Sequence, residues 1–336
     1  MIWSDGYTAA YYITVVDPKT WRDVGRLEIT DGSISRSTGK LMESADVEMT
    51  ELPNGGEAWI RIWMDAKQGG VTHTPLFTGL TSAPVRNING GRETFKVECF
   101  SVLKPADDIL TARGTYIPAE VSAPHAVARL LKGFAPIDIE AVSNPPRLIE
   151  SVIAEDGETN LSLACKTLDA IGWRLRIDGR GVIHIEQNPN TVSAVFDAVA
   201  NDVIELDITD ESDWYSCPNV FRAVSGDLTA IARDDDPSSS LSTVSRGREI
   251  WAEETSVTLG TNESLSAYAF RRLRELQSPA RTVSYNRRYD PDVVVGDIVR
   301  INHPAIGVDG LFRIQSQNIT LSYAGRTSEK AVMEWR

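Results

Sequence analysis

Histidine, cysteine and methionine are scarce in this chain of 336 residues, at four, three and five copies. Each scarcity excludes something. Cys99, Cys165 and Cys217 are odd in number and scattered, without a C-x-x-C spacing. That pattern suits buried thiols in a reduced compartment and argues against a disulfide framework or a zinc site. His73, His125, His184 and His303 form no H-x-H pair and no H-E-x-x-H helix, so the signatures of zinc hydrolases are missing. His184 reads as a sheet histidine with a satisfied partner, and His303-Pro304 as part of a turn. Positive charge is also short: 34 Lys and Arg stand against 47 Asp and Glu, a formal net charge of -13. Binding to phosphate backbones or anionic membranes needs clustered basic side chains. An acidic surface instead lets DNA pass without sticking.

No apolar run approaches the roughly 20 residues that span a bilayer. The start, Met1-Ile2-Trp3-Ser4-Asp5, lacks the basic region and apolar core of a signal peptide. Synthesis in the cytoplasm without a membrane anchor is the expectation. Catalytic motifs are missing too: there is no G-x-S-x-G elbow, no Walker loop and no G-x-G-x-x-G. The paired glycines of "NGGE" and "NGGRE" lie between strands and read as hairpin turns. With 47 acids, some carboxylate pair always meets the spacing of a glycosidase, so such pairs carry no signal. Glu155, Asp156 and Glu158 read as a turn and the acidic first turn of a helix. No catalytic, cofactor-binding or metal-binding residue is assigned.

Hydrophobic residues make up 42% and charged residues 24%, as in a soluble globular protein long enough for two to four domains. The first hundred residues read as short strands. "AYYITVVD" closes on an Asp17-Pro18 turn. "RLEIT" alternates Leu27 and Ile29 before an Asp31-Gly32 turn. "AWIRIWMD" carries bulk on both faces, and "HTPLFTGLTSAPV" and "TFKVECFSVL" flank a glycine hairpin. The pattern changes near Lys104-Pro105. "SAPHAVARLLKGF" predicts a helix capped by Ser122 and stopped by Gly133. A second helix is predicted over Glu158 to Ile171, and "GWRLRIDGRGVIHIEQ" reads as a hairpin turning at Asp178-Gly179. From about 200 strands return, interrupted by an amphipathic helix over Asn262 to Gln277. The expected fold is mainly β (α+β). Two antiparallel β-barrel-like domains, 1-104 and 199-336, flank a small α/β domain, 105-198, with the helix 262-277 in the last.

"IARDDDPSSSLSTVSRGREI" contains the densest acid run. Calcium loops place oxygen ligands at alternate positions, with a glycine for the sharp turn. Asp234, Asp235 and Asp236 are consecutive, Pro237 follows, and no glycine comes before Gly247. A metal site is thus disfavoured. The stretch reads as a polar loop, with Ser238 and Ser239, that is poorly ordered alone and makes its contacts in an assembly.

Longer segments show a likeness. "VVDPKTWRDVGRLEITDGSISRSTGKLMESADVEM", "EAWIRIWMDA" and "PLFTGLTSAP" resemble the N-terminal barrel of phage tail baseplate hub proteins. "ETNLSLACKTLDAIGWRLRIDGRGVIHIEQNP" resembles that family's α/β domain. "NVFRAVSGD", "ARDDDPSSSLSTVSRG" and "VGDIVRINHPAIGVDGLFRIQSQNITL" resemble its second β region. The resemblance covers most of the chain, in the family's order. It implies a homotrimeric ring at the tail tip of the virion. Each subunit would contribute two barrels, adapting a six-fold tail tube or distal tail protein above to three-fold spike or fibre proteins below. The channel would admit the tape measure protein and then DNA in transit. Some relatives carry an enzymatic extension after the last strand. This chain ends there, at "KAVMEWR", so no enzymatic activity is expected. Two other readings remain. One is a tail-associated cell-wall hydrolase using Asp/Glu chemistry. The other is a carbohydrate-binding adhesion module using Trp3, Trp21, Trp59, Trp63, Trp214 and Trp251.

Overall fold

The structure is a computed structural model describing residues 2–3, 5–53, 56–198, 204–261 and 263–334. Eight strands form the first part: β1 (Thr8–Val16), β2 (Asp23–Leu27), β3 (Ile29–Ser37), β4 (Glu43–Met49), β5 (Trp59–Lys67), β6 (Val71–Thr81), β7 (Val85–Asn89) and β8 (Arg92–Ser101). A mixed segment follows: α1 (Lys104–Asp108), β9 (Tyr116–Ile117), α2 (Ala123–Leu130), β10 (Ile137–Ile139), β11 (Val152–Ile153), α3 (Asn160–Asp169), β12 (Trp173–Ile177) and β13 (Ile183–Gln187). The last part holds β14 (Val192–Asp197), β15 (Ile204–Ser212), β16 (Val220–Ser225), β17 (Leu228–Arg233), α4 (Thr243–Arg246), β18 (Trp251–Glu254) and α5 (Leu265–Gln277). It ends with β19 (Arg281–Arg288), β20 (Ile298–His303), β21 (Val308–Thr320) and β22 (Arg326–Met333).

The fold is mainly β, as the sequence predicts. Its two β regions are continuous. Strand β3 pairs antiparallel with β21, so one sheet of 14 described strands runs through both, with β2 and β15 at the ends of its main path. Each half of this sheet curls around its own core. Ile13, Ile34, Met49, Ile62, Phe77 and Val97 fill the first. Phe196, Tyr285, Val299, Phe312 and Ile314 fill the second. Alternating side chains put these residues on the concave faces. Among the described residues neither roll closes by an unbroken ladder. The pairing is not wholly antiparallel either: β14–β20, β10–β13 and β16–β18 are parallel.

Three local expectations are corrected. Asp31-Gly32 is no turn; both lie inside β3. A Cβ on Gly32 would stand 2.7 Å from the Asp46 carbonyl oxygen, so the glycine allows β4 to approach closely. "RLEIT" is a junction of two strands, broken at Glu28. The Ser122 hydroxyl does not cap α2; it lies 2.8 Å from His125 Nδ1. In α3, by contrast, the Thr159 Oγ1 accepts from the Ser162 amide, and α3 is framed by this cap and by Gly172 at φ 67°. Asn262, where the C-terminal helix was expected to begin, lies outside the described residues. Helix α5 starts at Leu265, behind the capping Ser264. It covers one face of the separate sheet β17-β16-β18, burying Phe221, Ala223 and Ala232 against Tyr268, Ala269 and Leu273.

Candidate functional site

The acid run following β17 is a hydrogen-bonded turn. The Asp234 amide donates to the Asn219 carbonyl, and its own carbonyl accepts from Thr243. Asp234 Oδ2 accepts from Ser239 Oγ at 2.7 Å and from Gln277 Nε2 of α5 at 3.2 Å. Asp235 accepts from Thr243 Oγ1 and pairs with Arg233. Asp236 Oδ1 accepts from the Ser238 amide and hydroxyl, which holds its carboxyl below the ordinary range. Ser239 also accepts from the Leu241 amide. Ser242, fully buried, caps α4. The expectation of a loop without structure of its own is therefore corrected. The three carboxylates point apart, and each is occupied locally. Consecutive aspartates are strong acceptors for nearby amides and hydroxyls.

The histidines divide. His184 lies 3.2 Å from both Asp138 and Asp178, the satisfied sheet residue expected. His303 ends β20, 3% exposed, and neither ring nitrogen has a hydrogen-bond partner. Cys99 and Cys217 are buried, and Cys165 is half-buried; burial pushes the Cys99 and Cys165 thiols up to about 12.

The most organised polar region lies where the two rolls and the mixed segment meet. The β12–β13 turn plugs onto β6. Thr78 Oγ1 donates to the Gly179 carbonyl at 2.8 Å, and Arg61 Nη2 to the Arg180 carbonyl at 3.0 Å. A Cβ on Gly179 would sit 1.9 Å from the Pro75 carbonyl oxygen, so only glycine fits. Beside this plug a cavity of about 530 Å³ opens between the β3–β4 turn, α3, β12 and the segment before β20.

A row of buried polar residues starts in this cavity and crosses the seam between the rolls. Strand register places Glu43 opposite Arg36, Arg36 opposite Gln317, Gln317 opposite Glu329, and Glu329 opposite Tyr285. Directly opposed residues share a face. Gln317 Nε2 donates to Glu329 Oε1 at 2.6 Å, as does Arg287 Nη2. Both charges of the Arg287–Glu329 pair are wholly shielded from solvent. Arg36 donates to the Leu76 carbonyl and reaches Tyr289 Oη at 3.4 Å. Its Nε stands 3.5 Å from Glu43 Oε2, while Glu43 Oε1 has no hydrogen-bond partner. Burial pushes the Glu43 carboxyl up to about 8, against the pull of Arg36 and with a further push from Asp178. Sequence reading missed this row. One signal was available: a hairpin about Thr38 to Met42 puts Arg36 and Glu43 opposite each other.

The arrangement offers strong hydrogen bonding and no nucleophile–base pair. No protein-family model and no curated protein matches the chain. Solved structures do. A tail protein from Neisseria meningitidis MC58 superposes over 98% of this chain and 97% of its own, with TM-score 0.71 at 14% identity. The chain has the fold of phage tail proteins. The 43 kDa tail protein of prophage MuSo2 from Shewanella oneidensis covers 97% of this chain and 98% of its own, with TM-score 0.67 at 16% identity. The E. coli c3393 protein is a component of the type VI secretion system, described as structurally similar to the T4 tail proteins gp27 and gp5. It covers 92% of this chain and 74% of its own, with TM-score 0.55 at 10% identity. The tail-protein fold thus spans both rolls and the segment between them, matching the resemblance read from the sequence.

Proposed function

We propose that the chain is a structural subunit of a phage tail tip, a hub that assembles as a homotrimeric ring in the virion. The observation that carries this reading is the pair of rolls joined through β3 and β21 within a tail-protein fold. Three such chains supply six similar rolls, enough to meet a six-fold tail tube above and three-fold spike or fibre proteins below. The division at about residues 104 and 198 belongs to this proposal, as does a channel for tape measure protein and DNA. So does a contact with neighbouring subunits at the turn of Asp234, Asp235, Asp236, Ser238 and Ser239. The reading assigns no catalytic step to this chain.

The sheet ends support a head-to-tail ring. Among the described residues, strands β2 and β15 end the main path of the sheet, and each pairs on one side only. An open edge is a template for another strand. Strand β15 exposes Glu205, Asp207 and Glu211 at period-two spacing. Arg22 and Arg26 are exposed at and beside β2. Opposite charge on the two ends favours pairing between different ends, which generates a ring when the rotation closes. Native mass spectrometry of the purified chain tests the reading, with a trimer expected. Imaging then shows a three-fold ring with a central opening. A chain that stays monomeric at high concentration and in the presence of tail-tube protein overturns it.

A further inference from the structure

The loop after β15 carries an aromatic pair that the fold leaves uncovered. Trp214 is 54% exposed and Tyr215 68%, and their rings meet edge to face with centroids 6.4 Å apart. Exposed as it is, the loop is held in place. The Tyr215 carbonyl accepts from Arg246 Nη2 at 2.7 Å and from Arg248 Nη2 at 3.1 Å. Arg246 Nη1 donates to the Cys217 carbonyl at 2.7 Å, and the Asp213 amide donates to the Ala280 carbonyl. The Arg248 guanidinium lies 4.7 Å from the centroid of the Tyr215 ring and is open to solvent. Tryptophan, tyrosine and arginine are the side chains that most often carry the binding energy of a protein interface. A loop already fixed in place loses little entropy on docking.

We propose that Trp214, Tyr215 and Arg248 anchor on a second copy of this chain, at the exposed acids Glu28 and Asp31 beyond the end of its β2. The inference rests on the ring reading and deepens it by naming the receiving site. Strand direction selects that end of β2. The main path of the sheet has eleven strands, and every neighbouring pair along it is antiparallel. An odd number of alternating strands leaves β15 and β2 running the same way. Rotation about a ring axis keeps that direction, so β15 meets the next subunit's β2 as a parallel pair. Asp207 and Glu211 then face Arg22 and Arg26, which are spaced alike. The chain that leaves β15 after Ser212 continues past Leu27, the last residue of β2, towards Glu28, Thr30 and Asp31, all exposed. Charge selects the same end. Arg248, Glu28 and Asp31 are in no ion pair among the described residues. The parallel arrangement brings the guanidinium to the two acids, whereas an antiparallel one would carry it to Lys19 and Arg22 at the start of β2.

Sedimentation and photo-crosslinking of the whole chain test it. Trp214→Ser with Tyr215→Ser is expected to raise the trimer's apparent dissociation constant at least about tenfold, with the melting temperature of the monomer unchanged. Arg248→Glu is expected to weaken the trimer, and adding Glu28→Arg to it restores association. Benzoylphenylalanine placed at Tyr215 is expected to crosslink between subunits, with mass spectrometry locating the new bond at residues 28–31. A wild-type chain that stays monomeric defeats the ring reading and this inference together. A wild-type trimer that the double serine variant leaves at full strength overturns the anchor and spares the ring. Crosslinks at residues 18–20, or within one subunit alone, overturn the assigned seat. The crosslink decides even if the serine variant fails to fold, because it is made in an otherwise unaltered chain.

Discussion

Glu43 shows how much one side chain depends on the fold around it. In the unfolded chain its carboxyl titrates near 4.5; in the folded protein burial raises this to about 8. The native state therefore holds a proton that the unfolded state releases between those values. Stability linked to Glu43 is greatest below about pH 4.5 and declines as pH rises towards about 8, by up to about 1.4 kcal/mol per unit. Glu43→Gln removes this decline. Its melting temperature is expected to exceed that of the wild type at pH 8, with the gap shrinking at pH 5. An equal gap at both pH values would contradict a neutral, buried Glu43. Nothing around "MESADVEM" marks residue 43 as buried. The register of β4 between β3 and β8 decides it, and register is a tertiary fact. The exclusions made from sequence are of another kind. Metal loops and nucleophile elbows are local spacings, readable from the chain alone.

Elements formed by local rules were legible; contacts between them were not. The α3 helix and the β12–β13 hairpin carry their own caps, glycines and alternation. The docking of that hairpin is invisible in "IDGRG", because Pro75 lies about a hundred residues away. Gly179→Ala would drive a methyl group into the Pro75 carbonyl and lever the turn off β6. A loss of about 1–3 kcal/mol is expected from chemical denaturation. Gly70→Ala, with open space around its Cβ position, serves as the control and should change stability by less than about 0.5 kcal/mol. The acid turn was misread for a related reason. A run of Asp and Ser is polar enough for a mobile loop, yet the same side chains are short acceptors and donors that close turns. Asp234 also ties the turn to α5 through Gln277. Asp234→Ala is expected to cost about 1–2 kcal/mol, whereas Asp236→Ala, whose partners are exposed, should be nearly neutral. Equal effects would restore the reading of an unstructured loop.

At the scale of the whole molecule, the ordering of β, mixed and β regions was visible from patterning. The fusion of both β regions into one sheet was not. It requires β21 to find β3 across nearly three hundred residues, and no local propensity encodes such a pairing. That fusion leaves β2 and β15 as the two ends of the main path, which makes the proposed ring testable without knowledge of the other tail proteins. Exposed single ion pairs contribute little, but like charges facing each other across a strand pair oppose association. Asp207→Lys with Glu211→Lys reverses β15, setting lysines against Arg22 and Arg26 of the next subunit. The trimer's apparent dissociation constant is expected to rise at least tenfold by analytical ultracentrifugation, with the melting temperature of the monomer unchanged. Adding Arg22→Glu and Arg26→Glu to the same chain reverses both ends together and should restore the trimer. Such rescue separates edge complementarity from a general effect of net charge, since the fourfold variant has the wild-type charge. A β15 variant that remains fully trimeric, or a fourfold variant that remains monomeric, would place the subunit interface elsewhere on the molecule.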